Sequence, residues 1–140
     1  MNTGFAEPAT TALAAPVTPF VRMLERHGLA LPRTPLEILQ VNLTARCNLA
    51  CTHCHVESGP KREEALDARG IDRLIELMPT APPLHTLDLT GGAPELHPQF
   101  RRLAAAGRAH GLKVIDRCNL TVLFGPGQKD TAEFLAGHGI

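Results

Sequence analysis

The sequence predicts an α/β fold, a parallel sheet with helical crossovers, on three observations. Short runs rich in branched residues alternate with helical periodicities, no hairpin dipeptide stands between two strand runs, and the order is β-α-β-α-β-α. Parallel strands cannot be joined by tight turns, so each connection needs a crossover, usually a helix.

The elements follow in order. Residues 1–19, rich in Ala, Thr and Pro with Glu7 as their one charge, read as a loose leader. They lack the basic start and long apolar core of a secretory signal. From Phe20 to His27 apolar residues recur at helical spacing, and Gly28 offers a natural stop. Leu29 to Pro35 is a proline-punctuated connection, and Leu36 to Leu43 alternates like a strand. The loop Thr44–Lys61 contains the turn signal Gly59-Pro60. Leu66, Ile71, Leu74, Ile75 and Met78 then share one helical face. Pro82-Pro83 ends that helix, and Leu84 to Leu89 is the second strand. The loop Thr90–His97 leads into a helix from Pro98 to His110, closed by Gly111. Leu112 to Leu120 is the third strand, and Asp130 or Thr131 caps a last helix toward His138. In parallel α/β folds the carboxyl ends of the strands carry function, so the loops Thr44–Lys61 and Thr90–His97 should meet there.

Composition narrows the partners. At 44% hydrophobic and 20% charged, the chain is made like a soluble globular protein. Its 14 Lys and Arg balance 14 Asp and Glu, with no basic run, and there is no Trp or Tyr. Nucleic acid and anionic membranes need a basic face or stacking platforms, so neither is the expected partner. No stretch approaches the roughly 20 apolar residues of a membrane span. The expected compartment is the cytoplasm, where thiols stay reduced.

Of four cysteines, Cys47, Cys51 and Cys54 lie together and Cys118 stands far away. Three soft thiolates on one loop suit three corners of a cubane iron–sulfur cluster and leave its fourth iron open. The alternative is a zinc staple in which His53 or His55 joins the same cysteines, giving an interaction module without catalysis. In the second loop, Thr90-Gly91-Gly92-Ala93-Pro94, paired glycines let the backbone approach a ligand with no Cβ in the way.

The C-x3-C-x2-C triplet after the first strand, with a double glycine before proline after the second, resembles the radical S-adenosylmethionine (SAM) superfamily. The resemblance implies a partial parallel (β/α) barrel. It also implies a [4Fe-4S] cluster on Cys47, Cys51 and Cys54, and SAM chelated to the open iron and cleaved to a 5′-deoxyadenosyl radical. Thr90, Gly91, Gly92 and Pro94 match the turn that meets the SAM amino group, and His53 the position near the adenine. Ala93 stands where the superfamily often has Glu, and Glu95 does not simply take over that role. An electron donor such as flavodoxin or ferredoxin is implied as well.

Four phrases, TPLEILQVNL, CTHCHVESGPKR, LDLTGGAPELHPQFR and KVIDRCNLTVL, resemble the arsenosugar-biosynthesis radical SAM family, in which Ala93 fits the pattern. That narrower likeness implies a small-molecule substrate, a methylated arsenical that receives the adenosyl group. A complete (β/α)8 barrel takes about 250 residues. Three βα units over residues 20–140 are therefore read as a truncated portion, with a separate chain as one way to complete the barrel.

Cys118, at the end of the third strand, is expected either at the same mouth or as a small buried hydrophobe. Asp116, Arg117 and Asn119 are polar for a buried parallel strand, and Glu57 and Lys61 are read either as lining the mouth or as solvated loop charges. His27, His85, His110 and His138 are expected to be structural.

Overall fold

The computed structural model describes residues 19–32 and 34–140. The leader read at residues 1–19 lies outside the described residues, Pro19 excepted. The chain divides into two units, Met1–Arg33 and Thr34–Ile140. In the first, α1 spans Phe20–Arg26. Gly28, at φ +63°, closes it: its amide reaches the Glu25 carbonyl and the Leu29 amide reaches Leu24 at 2.9 Å. These are the two bonds of a Schellman stop, which only a residue at ease in the left-handed region makes cheaply.

The second unit holds β1 (Ile38–Thr44), α2 (Ala68–Leu77), β2 (Thr86–Gly91), α3 (Phe100–Ala109), β3 (Lys113–Asp116) and α4 (Thr131–His138). The three strands pair in parallel in the order β1-β2-β3. Three βα units of a (β/α) barrel are thus present.

Register decides what each face of the sheet carries. Leu39 pairs with Leu87 and Leu87 with Val114; Val41 pairs with Leu89. These residues pack with Ile71 of α2, with Met78 just after it, and with Phe100, Leu103 and Ala104 of α3 to form the main core. Each such large side chain contributes on the order of 1.5–3 kcal/mol when fully buried. The period of two sends Gln40, Asn42, Asp88, Thr90 and Ile115 to the opposite face. That face is largely polar, as suits the inside of a barrel that holds a ligand.

Three local readings are corrected. The third strand does not run to Leu120: ladder pairing ends at Asp116, and Leu120 sits at φ +63° before a 3₁₀ turn over Thr121–Phe124. Asp130 precedes α4 but makes no side-chain cap, because its carboxylate is taken by Arg101 through two bonds of 2.6 Å. α2 begins at Ala68, where the Asp67 carboxylate accepts from the Gly70 amide at 2.7 Å. Leu66, before the cap, still packs on the core.

Candidate cluster and SAM site

The cysteine loop leaves β1 and folds back on itself. The Ala45 amide bonds to the Glu64 carbonyl at 2.8 Å, Cys47 to Gly59 at 3.1 Å, and Gly59 to Ala45 at 3.1 Å. Within this frame Cys47 is buried, Cys54 half-buried and Cys51 exposed, all as free thiols. The Leu49 amide and the Asn119 side-chain amide reach the Cys47 sulfur at 3.4 and 3.5 Å, and the Ser58 amide reaches the Cys54 sulfur at 3.4 Å. The Ser58 amide first, and the Val56 amide next, hold the Cys54 thiol below its ordinary value. Donors aimed at sulfur stabilise thiolates, the form that binds iron.

The spacing of the sulfurs bears on the two readings of the loop. A tetrahedral ion about 2.0–2.3 Å from each donor draws the donors to within about 4 Å of one another. No three of Cys47, Cys51, Cys54, His53 and His55 bring their donor atoms all within 4.8 Å of one another. A cubane stands its whole metal cube between its thiolates and needs them farther apart.

The second loop docks on the first, as expected from the strand order. The Gly92 amide donates to the Thr44 carbonyl at 2.6 Å, and the Ala93 amide to Arg46 at 2.9 Å. The two glycines therefore serve a purpose beyond ligand approach. A Cβ on Gly91 would run into the Thr44 carbonyl, and one on Gly92 into the Arg46 carbonyl; Gly91 also sits at φ +134°. With both amides committed, the Gly92 carbonyl is left with no donor among the described residues. A free carbonyl is the kind of group that receives an ammonium. Pro94 is fully buried.

A cavity of about 480 Å³ opens beside this junction, lined by Gln40, Asn42, His55, Val56, Thr90, Gly91 and Arg117. It joins the cysteine loop, the TGG turn and the polar sheet face. His55 lines it, whereas His53 is exposed and outside its lining. Sequence reasoning missed Gln40, Asn42 and Asp88. Asp88, 4% exposed, accepts from Arg117 Nε and Nη2 at 2.8 and 2.7 Å and from Gln40 Nε2 at 3.1 Å. Hydrogen bonds from Arg117 chiefly, then Gln40, hold its carboxyl below the usual range. An aspartate inside a branched strand run was the available signal.

Cys118 does not sit at a strand end facing this cavity. Its sulfur accepts the Leu120 amide at 3.2 Å and lies within 4.8 Å of carboxylate oxygens of Glu95 and Asp116. Burial, then Glu95, pushes the Cys118 thiol up to about 12; burial, then the Glu95 charge, pushes Asp116 up to about 8. Asn119 instead turns toward the cysteine loop, its side-chain amide also donating to Asn48 Oδ1 at 2.8 Å. Lys61 and Glu57 are exposed and line no part of the 480 Å³ cavity. His85 and His138 make local bonds, to the Thr86 hydroxyl and the Phe134 carbonyl, each at 2.8 Å. Among the described residues no helix is long and apolar enough to cross a membrane.

Comparison with known proteins bears on this geometry. The chain is 39% identical over 106 residues to the GTP 3′,8-cyclase of Synechococcus sp. (strain CC9902), covering 74% of this chain and 29% of that protein. It is 33% identical over 105 residues to the GTP 3′,8-cyclase of Streptomyces coelicolor, covering 73% of this chain and 30% of that protein. The chain thus spans less than a third of the length of these relatives. They are not members of the arsenosugar-biosynthesis family that the motif phrases resemble, so that narrower assignment is a matter for proposal. Residues 41–140 match the Radical SAM superfamily, whose cofactors are a [4Fe-4S] cluster and SAM, and the chain belongs to that superfamily.

Proposed function

We propose that this chain is the cluster- and SAM-binding part of a radical SAM enzyme. Cys47, Cys51 and Cys54 hold the cluster, and Thr90, Gly91, Gly92 and Pro94, with His53 at the rim, receive SAM. The observation that carries this reading is the junction: amides of Gly92 and Ala93 bond into the cysteine loop, and both loops line one cavity. When bound, the cluster supplies the electron that cleaves the SAM sulfonium to a 5′-deoxyadenosyl radical. The chain's own groups do the rest. Leu49, Ser58 and Asn119 donate to the cluster sulfurs, and the Gly92 carbonyl accepts the SAM ammonium. Arg117, oriented by Asp88, presents a guanidinium to the cavity for an anionic group of the ligand.

For the substrate, the motif phrases favour a methylated arsenical that takes up the adenosyl group. A second reading, GTP, rests on the relatives' shared name. Cys118 lends the arsenical no support, because its thiol faces Glu95 and Asp116 and is held protonated. The reading includes a flavodoxin- or ferredoxin-type electron donor, a cytoplasmic setting, and further barrel strands from a longer protein or a separate chain.

The test is anaerobic reconstitution with iron and sulfide, then SAM and dithionite with dimethylarsinous acid or GTP. A brown protein with about four irons, releasing 5′-deoxyadenosine and an adenosylated arsenical, is the expected result. A cyclised GTP product overturns the arsenical reading. A colourless protein with one tight zinc on the cysteine loop overturns the whole proposal in favour of the staple.

A further inference from the structure

A second donor set includes none of the three clustered cysteines. Glu95, on the 3₁₀ turn Pro94–Leu96, and Asp116, the last residue of β3, bring carboxylate oxygens within 4.8 Å of each other and of the Cys118 sulfur. Among the described residues this is the one group of three potential metal ligands so close together. Asp116 pairs with Leu89 across the ladder, so it shares the core-facing side of the sheet with Leu87 and Val114 and does not face the 480 Å³ cavity.

Buried carboxylates ordinarily take donors from arginine, backbone amides or water, because an unpaired charge out of water is costly. Here none is supplied. Glu95 is 6% exposed, and neither of its oxygens nor either oxygen of Asp116 has a hydrogen-bond partner. Two guanidinium groups on neighbouring elements are committed elsewhere, Arg101 to Asp130 and Arg117 to Asp88. The backbone around the set is meanwhile well fixed. Gln128 donates to the Glu95 carbonyl at 3.1 Å, and the Leu120 amide points at the Cys118 sulfur at 3.2 Å. The donors are held in place with no amide, hydroxyl or guanidinium bonded to their carboxylate oxygens.

We propose that Glu95, Asp116 and Cys118 bind one divalent cation of the zinc class, with donors other than those assigned to the cluster and to SAM. The donor set selects the ion. A thiolate disfavours the hard cations calcium and magnesium, which take oxygen ligands in larger number. Zinc accepts mixed sulfur and carboxylate donors, and three protein ligands leave its fourth position to water. Bound there, the ion ties the turn after the double glycine to the segment after β3, beside the packing of Cys118 against the cluster of Cys47, Ala93 and Val122.

The experiment loads the full chain with its cluster first, so that Cys47, Cys51 and Cys54 are occupied, then titrates with zinc and reads the zinc X-ray absorption edge. That signal is blind to iron and to SAM cleavage, so it fails or succeeds apart from the radical SAM reading. The expected result is one zinc per chain, with a single sulfur at about 2.3 Å and oxygens at about 2.0–2.2 Å. Glu95→Gln and Cys118→Ser should each weaken binding at least about tenfold, since even outer-shell changes around metals cost that much. Both are near-isosteric, and far-UV circular dichroism checks that each variant folds. No uptake, or zinc ringed by three sulfurs, overturns the site. So does a Glu95→Gln protein that melts higher with unchanged zinc uptake, the sign of two carboxyls sharing a proton.

Discussion

The Gly92 amide meets the Thr44 carbonyl at 2.6 Å, and this bond fastens the turn after β2 to the start of the cysteine loop. The approach is so close that a Cβ on Gly92 would overlap the Arg46 carbonyl, which belongs to backbone and has nowhere to swing. Gly92→Ala is therefore expected to destabilise the protein by roughly 1–3 kcal/mol, the usual cost of overpacking, and to lower cluster retention. Gly59→Ala, in the cysteine loop with nothing within 4 Å of the added methyl, should be close to neutral. Urea midpoints of the two variants decide it, and equal losses would refute the idea that the glycines serve loop docking.

Iron stoichiometry checks the ligand set. Ser in place of Cys47, Cys51 or Cys54 removes one soft donor of three, and each variant should retain less than half the iron of the parent after anaerobic desalting. Cys118→Ser should retain all of it, because its sulfur sits with Glu95 and Asp116. Iron loss on changing Cys118 would mean that it, and not one of the triplet, belongs to the cluster.

Acid stability reports on the polar face of the sheet. Arg117 and Gln40 hold Asp88 below the usual carboxylate range, near 3.9 in an unfolded chain. As pH falls, the unfolded chain takes up this proton first, so the native state loses ground. The contribution is complete above about pH 4 and drains as pH drops through the lower folded value. Asp88→Asn should be less stable than the parent at pH 7 and show a flatter decline between pH 5 and pH 2. Parallel acid limbs in the two proteins would rule the pair out as a source of acid lability.

What the sequence disclosed and what it hid divide along one physical line. The elements were legible because periodicity is local: Ile71 and Met78 fall on one face of their segment whatever they touch. The cysteine loop stood out because its three thiols lie within eight positions of one another in the chain. The join between the two loops followed from parallel topology, since both leave the carboxyl ends of neighbouring strands. The Gln40–Asp88–Arg117 set was not legible, because it depends on register across three strands at separations of 48 and 29 residues. Asp130 looked like a cap for the same reason: Arg101, the partner that takes its carboxylate, is 29 residues away. The third strand was read four residues too long, a boundary that polar Arg117 and Asn119 already marked, while the alternative of Cys118 as a small packed hydrophobe agrees with its place against Ala93 and Val122.

Helix α3 offers a case in which two known effects oppose each other. Changing Gly to Ala inside a helix ordinarily gains up to about 1 kcal/mol, through the lower backbone entropy of the unfolded chain. At Gly107, however, the new methyl would land 2.7 Å from Leu87 Cδ2 and 3.0 Å from Val114 Cγ2. Leu87 is fully buried and Val114 nearly so, so neither can turn out of the way without opening the core. Overpacking costs about 1–3 kcal/mol and outweighs the propensity gain, so Gly107→Ala should lose up to about 2 kcal/mol. Gly137, near the end of α4 with open space around its added methyl, lacks the opposing effect. Gly137→Ala should gain a few tenths to about 1 kcal/mol. Thermal melts of the two variants should thus move in opposite directions, and a shared direction would show that α3 does not press on the sheet through Gly107.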